Sequence, residues 1–161
     1  LQGDWSSDVC SSDLWVQDFT SVTPDFGRTD DSAAWSPPAV LHFTPEREFS
    51  VGFDTTLVIA SRGLTVFYGS VYFRSLDTTS MATLDIKVER DGESLFYDNV
   101  RLNDFNLHPG RWQRVHIALP LTDTYGKARL QLYVWNSDHA TFDVDKMEVK
   151  VVEENDPYSR K

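Results

Sequence analysis

Residues 128–135 read ARLQLYVW. Leu130, Leu132 and Val134 alternate there with Gln131, Tyr133 and Trp135, the period of a β-strand with one buried face and one wet face. The same period recurs along the chain. Leu84, Ile86 and Val88 alternate with Asp85, Lys87 and Glu89; Val115, Ile117 and Leu119 alternate with Arg114, His116 and Ala118; Val71 and Phe73 alternate with Tyr72 and Arg74. Turn signals separate these runs: Arg90-Asp91-Gly92-Glu93, His108-Pro109-Gly110 and Thr124-Tyr125-Gly126. Such connections are too short for crossover helices, so neighbouring strands must run antiparallel. The expectation is an all-β protein, a β-sandwich of two antiparallel sheets with roughly eight strands. Its core should hold Phe73, Leu84, Ile86, Val88, Val115, Ile117, Leu130, Leu132, Val134 and Val149.

Upstream, Trp15–Phe19, Val40–Phe43, Phe49–Phe53 and Thr56–Ile59 are strand-like, while Ser36-Pro37-Pro38 and Thr44-Pro45 interrupt pairing. Pro24–Pro38 reads as a loop. Near the end, Phe142 and Val144 have one parity and Met147, Val149 and Val151 the other, so a β-bulge at Asp145-Lys146 is needed to restore the register. The single domain is expected over 15–152, with 153–161 a polar tail.

The chain has 161 residues, 40% of them hydrophobic, with 25 acidic and 15 basic side chains and a net charge of -10. Ten Phe, six Tyr and five Trp are far more than a disordered chain carries. No stretch approaches the roughly 18 apolar residues of a spanning helix. The acidic balance, with basic residues scattered singly, argues against a phosphate-binding surface, so no nucleic-acid partner is expected. Residues 4–14, DWSSDVCSSDL, resemble an in-frame translation of a sequencing-library adapter, and 1–14 are set aside as an artefact. Removing its three acids leaves 22 acids against 15 bases. Cys10 goes with it, and a disulfide, a thiolate metal site and a Cys nucleophile go too. The protein's own targeting segment would then be missing.

Pro109-Gly110-Arg111-Trp112-Gln113-Arg114-Val115, Tyr133-Val134-Trp135-Asn136 and the closing Phe142–Val149 together resemble the galactose-binding-like β-jelly-roll family, which includes many carbohydrate-binding modules. The likeness covers roughly residues 40–152. It implies a jelly-roll topology, placement of 128–135 in one sheet with 82–89 and 95–102, and an extracellular or periplasmic location within a longer protein. Where family members often carry two adjacent acids, this chain has Asp145 and Lys146. A lysine ammonium repels the calcium that paired acids hold, so neither metal nor cofactor is expected.

That placement puts Trp135, Tyr133, Gln131, Asp85 and Lys87 on one wet face, as carbohydrate-binding residues. A sugar ring offers a face of C–H groups that stacks on an aromatic ring, and neighbouring polar side chains bond its hydroxyls. The competing reading is that Trp135 lies under a loop and seals the sandwich. Trp112 is expected to plug the edge of the core, and Tyr72 and Arg74 to lie on a solvated face. Catalysis is not expected. Glu46 and Glu48 share a strand face, as do Asp143 and Asp145, but nothing in the sequence buries or couples either pair. His42, His108, His116 and His139 lack ligand spacing. Two functions follow: a non-catalytic carbohydrate-binding module of a bacterial envelope or secreted protein, or a structural or protein-interaction β-sandwich without a sugar site.

Overall fold

The computed structural model describes residues 13–17, 19, 28–50, 52–59, 64–121 and 126–154. Its strands are β1 (Asp13–Gln17), β2 (Arg28–Asp30), β3 (Ala39–Phe43), β4 (Phe53–Ile59) and β5 (Leu64–Arg74). These are followed by β6 (Thr83–Arg90), β7 (Glu93–Arg101), β8 (Gln113–Leu121), β9 (Gly126–Trp135) and β10 (Phe142–Glu154), with a 3-10 turn at Leu102–Phe105. One sheet runs β2-β3-β10-β5-β8 with β1 also on β10, and the other runs β4-β9-β6-β7. Every strand pairing is antiparallel.

The sheets face each other through the apolar parity of each strand. All ten expected core residues are buried, joined by Phe43, Phe67, Leu102, Leu119 and Met147. Close approach of the sheets depends on Gly69 of β5, where a Cβ would lie 2.6 Å from Leu132 Cδ1 of the facing sheet. Within the four-stranded sheet, a Cβ on Gly52, just ahead of β4, would lie 2.0 Å from the Leu132 carbonyl oxygen of β9. The β6–β7 hairpin turns through Asp91 (φ 52°) and Gly92 (φ 82°), two left-handed residues as a two-residue hairpin loop requires.

The bulge falls where the parity of β10 breaks. The register to β5 shifts between Asp145 and Glu148, and Lys146 sits at φ 44°. The shift lets one long strand serve two partners along the same edge. Phe142–Val144 pair with β3, and Met147–Val151 pair with β1.

Several boundaries differ from those read in the sequence. Among the described residues there are ten strands rather than about eight, and β2 lies inside the expected loop 24–38, because Arg28-Thr29-Asp30 carries no apolar alternation. In the 49–53 run, Phe49 makes only an isolated bridge to Trp135, and the strand starts at Phe53. The edge drawn at residue 14 falls inside β1, since Asp13 pairs with Val151 and Leu14 with Lys150. Residues 1–12 lie outside the described residues. At the other end, Glu153 and Glu154 still pair with Thr65 and Leu64; ladder hydrogen bonds come from the backbone and need no apolar side chain. The rest of the expected tail, 155–161, lies outside the described residues.

Candidate functional site

The four-stranded sheet turns one face to the core and the other outward. In register across the outer face lie Asp54, Gln131, Lys87 and Tyr97; next to them come Tyr133, Asp85 and Asn99; then Trp135, Thr83 and Arg101. The five residues singled out in the sequence therefore sit on two adjacent strands, β9 and β6, with Tyr133 opposite Asp85 and Gln131 opposite Lys87.

A short segment ahead of β4 adds a ring that sequence reasoning missed. Phe49 stacks parallel to Trp135, with centroids 6.3 Å apart and planes at 11°, and meets Tyr133 edge-on at 5.9 Å. Phe49 remains 49% exposed, so the three rings form a step whose top is open to solvent. Trp135 is half-buried, and its Nε1–H donates to Glu48 Oε1 at 3.3 Å. The segment is fixed by its backbone: Asn136 N–H donates to the Glu48 carbonyl at 2.7 Å and Ser50 N–H to the Val134 carbonyl at 3.0 Å. Beneath it, the buried Asn136 amide donates to the carbonyls of Thr44, Arg47 and Ala140. In the sequence Phe49 stood out only as the start of the strand-like run 49–53.

Asp85 lies fully buried under this face, which changes its part. Its carboxylate accepts the Tyr97 hydroxyl at 2.9 Å, and Asn99 Nδ2 donates to that hydroxyl oxygen at 3.2 Å. It supports Tyr97 from below and does not meet a ligand directly. Burial pushes the Asp85 carboxyl above the ordinary carboxylate range, and burial, with the Asp85 charge beside it, pushes the Tyr133 phenol up to about 12. Tyr133 therefore stays a neutral hydroxyl, able to donate and accept.

The polar end of the face is laced together. Arg129 grips Asp54 with two hydrogen bonds, Nε–H to Oδ1 at 2.6 Å and Nη2–H to Oδ2, and Gln131 Nε2 donates to Asp54 Oδ2 at 3.2 Å. The Arg129 hydrogen bond holds the Asp54 carboxyl below its usual range. Lys87 pairs with Glu89. An apolar step beside fixed amides, hydroxyls and charges is the chemistry that holds a polyol with one hydrophobic face.

The outer face of the six-stranded sheet corrects two expectations. Tyr72 and Arg74 do not lie on an open face but are half-buried, because the segment 31–38 packs over them. Trp35 stacks on Tyr72 at 4.1 Å, and Arg74 Nη2 donates to Asp31 at 2.6 Å and to Asp143 at 2.8 Å. Trp112 is held outside the core: its Nε1–H donates to the Ala33 carbonyl at 2.7 Å, and the Arg74 guanidinium lies 4.5 Å over its ring. Three of the four paired carboxylates are engaged one by one. Glu48 holds Trp135; Asp143 holds Arg74 and, at 2.7 Å, His42 Nδ1; Asp145 is buried and accepts the Ser36 N–H. Among the described residues no group of three or more His, Cys, Asp or Glu side chains is placed to hold a metal ion, and no helix is long and apolar enough to cross a membrane.

No known family profile matches the chain, and no curated protein matches it in sequence. Solved structures do match in shape. A CBM22-2 xylan-binding domain from Paenibacillus barcinonensis Xyn10C superposes with a TM-score of 0.53 at 12% identity, over 87% of this chain and 99% of that one. The VP2 subviral particle of infectious bursal disease virus gives 0.51 at 9% identity, over 88% of this chain; the chain spans about a third (33%) of the VP2 length. A family 16 carbohydrate-binding module gives 0.47 at 12% identity, over 78% of this chain and 84% of that one. These likenesses define the fold alone, a β-sandwich of jelly-roll type. A xylan-binding domain and a viral particle protein share that shape, so function has to be argued from the site.

Proposed function

We propose that the outer face of the four-stranded sheet binds a glycan, and that the chain is a non-catalytic carbohydrate-binding module of a bacterial envelope or secreted protein. The observation that carries this reading is the step of Phe49, Trp135 and Tyr133 standing beside Gln131, Lys87, Tyr97 and Asn99 on one open face. Sugar rings stack on the aromatic step, and the amides, the Tyr97 hydroxyl and Lys87 bond their hydroxyl groups. Asp85 contributes from beneath by orienting Tyr97. The absence of chemistry in this reading is supported by the carboxylates, since Glu48 and Asp143 are each tied to a structural partner.

A second reading, a structural or protein-interaction sandwich, has one observation in its favour. Phe49 and Glu48 of the chain itself already occupy Trp135. Affinity gels cast with soluble β-glucans, xylans, mannans and galactans separate the two. Retardation by at least one polymer, lost in Trp135→Ala and in Gln131→Ala, supports the glycan reading. Free migration through all of them removes it and leaves the interaction domain.

A further inference from the structure

The opposite face carries a second feature, a cleft of about 640 Å³ over β5, β8 and β10, within the ~300–1,000 Å³ range of clefts that bury small ligands. We propose that it is a separate binding site for an acidic sugar, one carrying a carboxylate. It shares no residue with the aromatic step, so it stands or falls independently of the function proposed above.

The register builds it. Ser70 of β5 lies opposite His116 on β8 and Glu148 on β10, Tyr68 lies opposite Lys150, and Arg114 projects from the next outward position on β8. Ser70 is small and buried at the floor, while its neighbours are long, which leaves a trough between them. On a chain of net charge -10 the lining of this trough is locally basic, with Arg114 and Lys150 against Glu148 alone, and Glu148 is itself paired with Lys146 outside it.

The cations are held in place but not used up. Glu148 bridges Arg114 Nη2 at 3.2 Å and Lys146 Nζ at 3.3 Å, and the same Nη2 donates to Ser70 Oγ at 3.1 Å. Both Arg114 contacts use Nη2, so Nε and Nη1 have no protein acceptor among the described residues. Arg114 is 55% exposed, and Lys150 makes no ion pair among the described residues. Charge selects an anion. Tyr68, 41% exposed at the other side, selects more than an inorganic one, because its ring is left idle unless the ligand also has an apolar face. A carboxylate on a sugar ring satisfies both.

The test is affinity electrophoresis through polygalacturonate, through the same polymer fully methyl-esterified, and through dextran sulfate. The wild-type chain should be retarded by polygalacturonate and not by the ester, which keeps the ring and loses the charge. Arg114→Gln should weaken retention about tenfold, the loss of charge-assisted hydrogen bonds, with an unchanged circular-dichroism spectrum because the side chain is exposed. Tyr68→Ala should weaken it independently, and Trp135→Ala should retain it in full. Equal retardation by acid and ester, no retardation by either, or an unaffected Arg114→Gln overturns the proposal. Dextran sulfate binding as tightly as polygalacturonate also overturns it, by showing attraction to any polyanion.

Discussion

Replacing Trp135 by Ala separates a ring that serves a ligand from a ring that serves the core, and the structure sets the size of each effect. Truncating a fully buried large aromatic costs about 3–5 kcal/mol. Trp135 is half-buried on the outer face, and its hydrogen bond to Glu48 is exposed and long at 3.3 Å, so it adds little. The expected loss is therefore about 2 kcal/mol, which lowers Tm by about 4–8 °C in a domain of this size. Differential scanning calorimetry reads that number, and affinity gels on the same preparation read binding. The account expects a modest drop in Tm together with complete loss of retention by the neutral glucan, xylan, mannan or galactan that the wild-type chain binds. A fall in Tm of more than about 15 °C, or retention at the wild-type level, would refute the reasoning, the first by making Trp135 a core seal and the second by leaving its ring out of the site.

Phe49→Ala removes a ring that is 49% exposed, so Tm should fall by no more than a few degrees, while glycan retention weakens in the same gels. If removing Phe49 instead strengthens retention, that ring is a cover over Trp135 and not part of the platform. Asp85→Asn tests the buried carboxyl through pH. Burial raises the folded pKa of Asp85 above its unfolded value of about 3.9, so the stability it contributes is full below that value and is lost as pH rises through the folded pKa. The uncharged amide escapes this loss, so the Tm of Asp85→Asn relative to wild type should climb from pH 4 to pH 7; a constant difference contradicts the assignment. Asp31 and Asp54, held low by arginine hydrogen bonds, slope the other way but are common to both proteins and cancel. Gly52→Ala places a Cβ 2.0 Å from the Leu132 carbonyl oxygen, a backbone atom that no rotamer change can clear. It should destabilise the domain more than Trp135→Ala does, measured by urea denaturation, and near-neutral behaviour would show that β4 shifts freely on β9.

Period-2 alternation made β6, β8 and β9 legible, because each buries one face and wets the other. A break in that period located the bulge in β10, where Lys146 now stands at positive φ. β2 was hidden, since Arg28-Thr29-Asp30 pairs with β3 without any apolar alternation. For the site, parity together with the jelly-roll resemblance was enough to put Gln131, Tyr133, Trp135, Asp85 and Lys87 on one face, while the register that sets Tyr133 opposite Asp85 and Gln131 opposite Lys87 came only with the structure. Parity says only that a side chain points away from the core; it does not say what lies beyond. Tyr72 and Arg74 point outward yet are covered by Trp35 and Asp31, and Asp85 points outward yet is sealed under Tyr97. Phe49 reaches Trp135 only through the fold, by hydrogen bonds of the segment 48–50 to residues 134–136, a contact with no local sequence signature.

The most direct test of the glycan reading is a nuclear magnetic resonance titration of the isotope-labelled chain with whichever soluble oligosaccharide is retained in the gels. The account predicts that the Trp135 indole N–H and the Gln131 side-chain amide shift first, with backbone changes confined to β9, β6 and the segment 48–50. Oligosaccharide-induced shifts that spare these groups and gather on another surface, or no shifts at saturating ligand, contradict it.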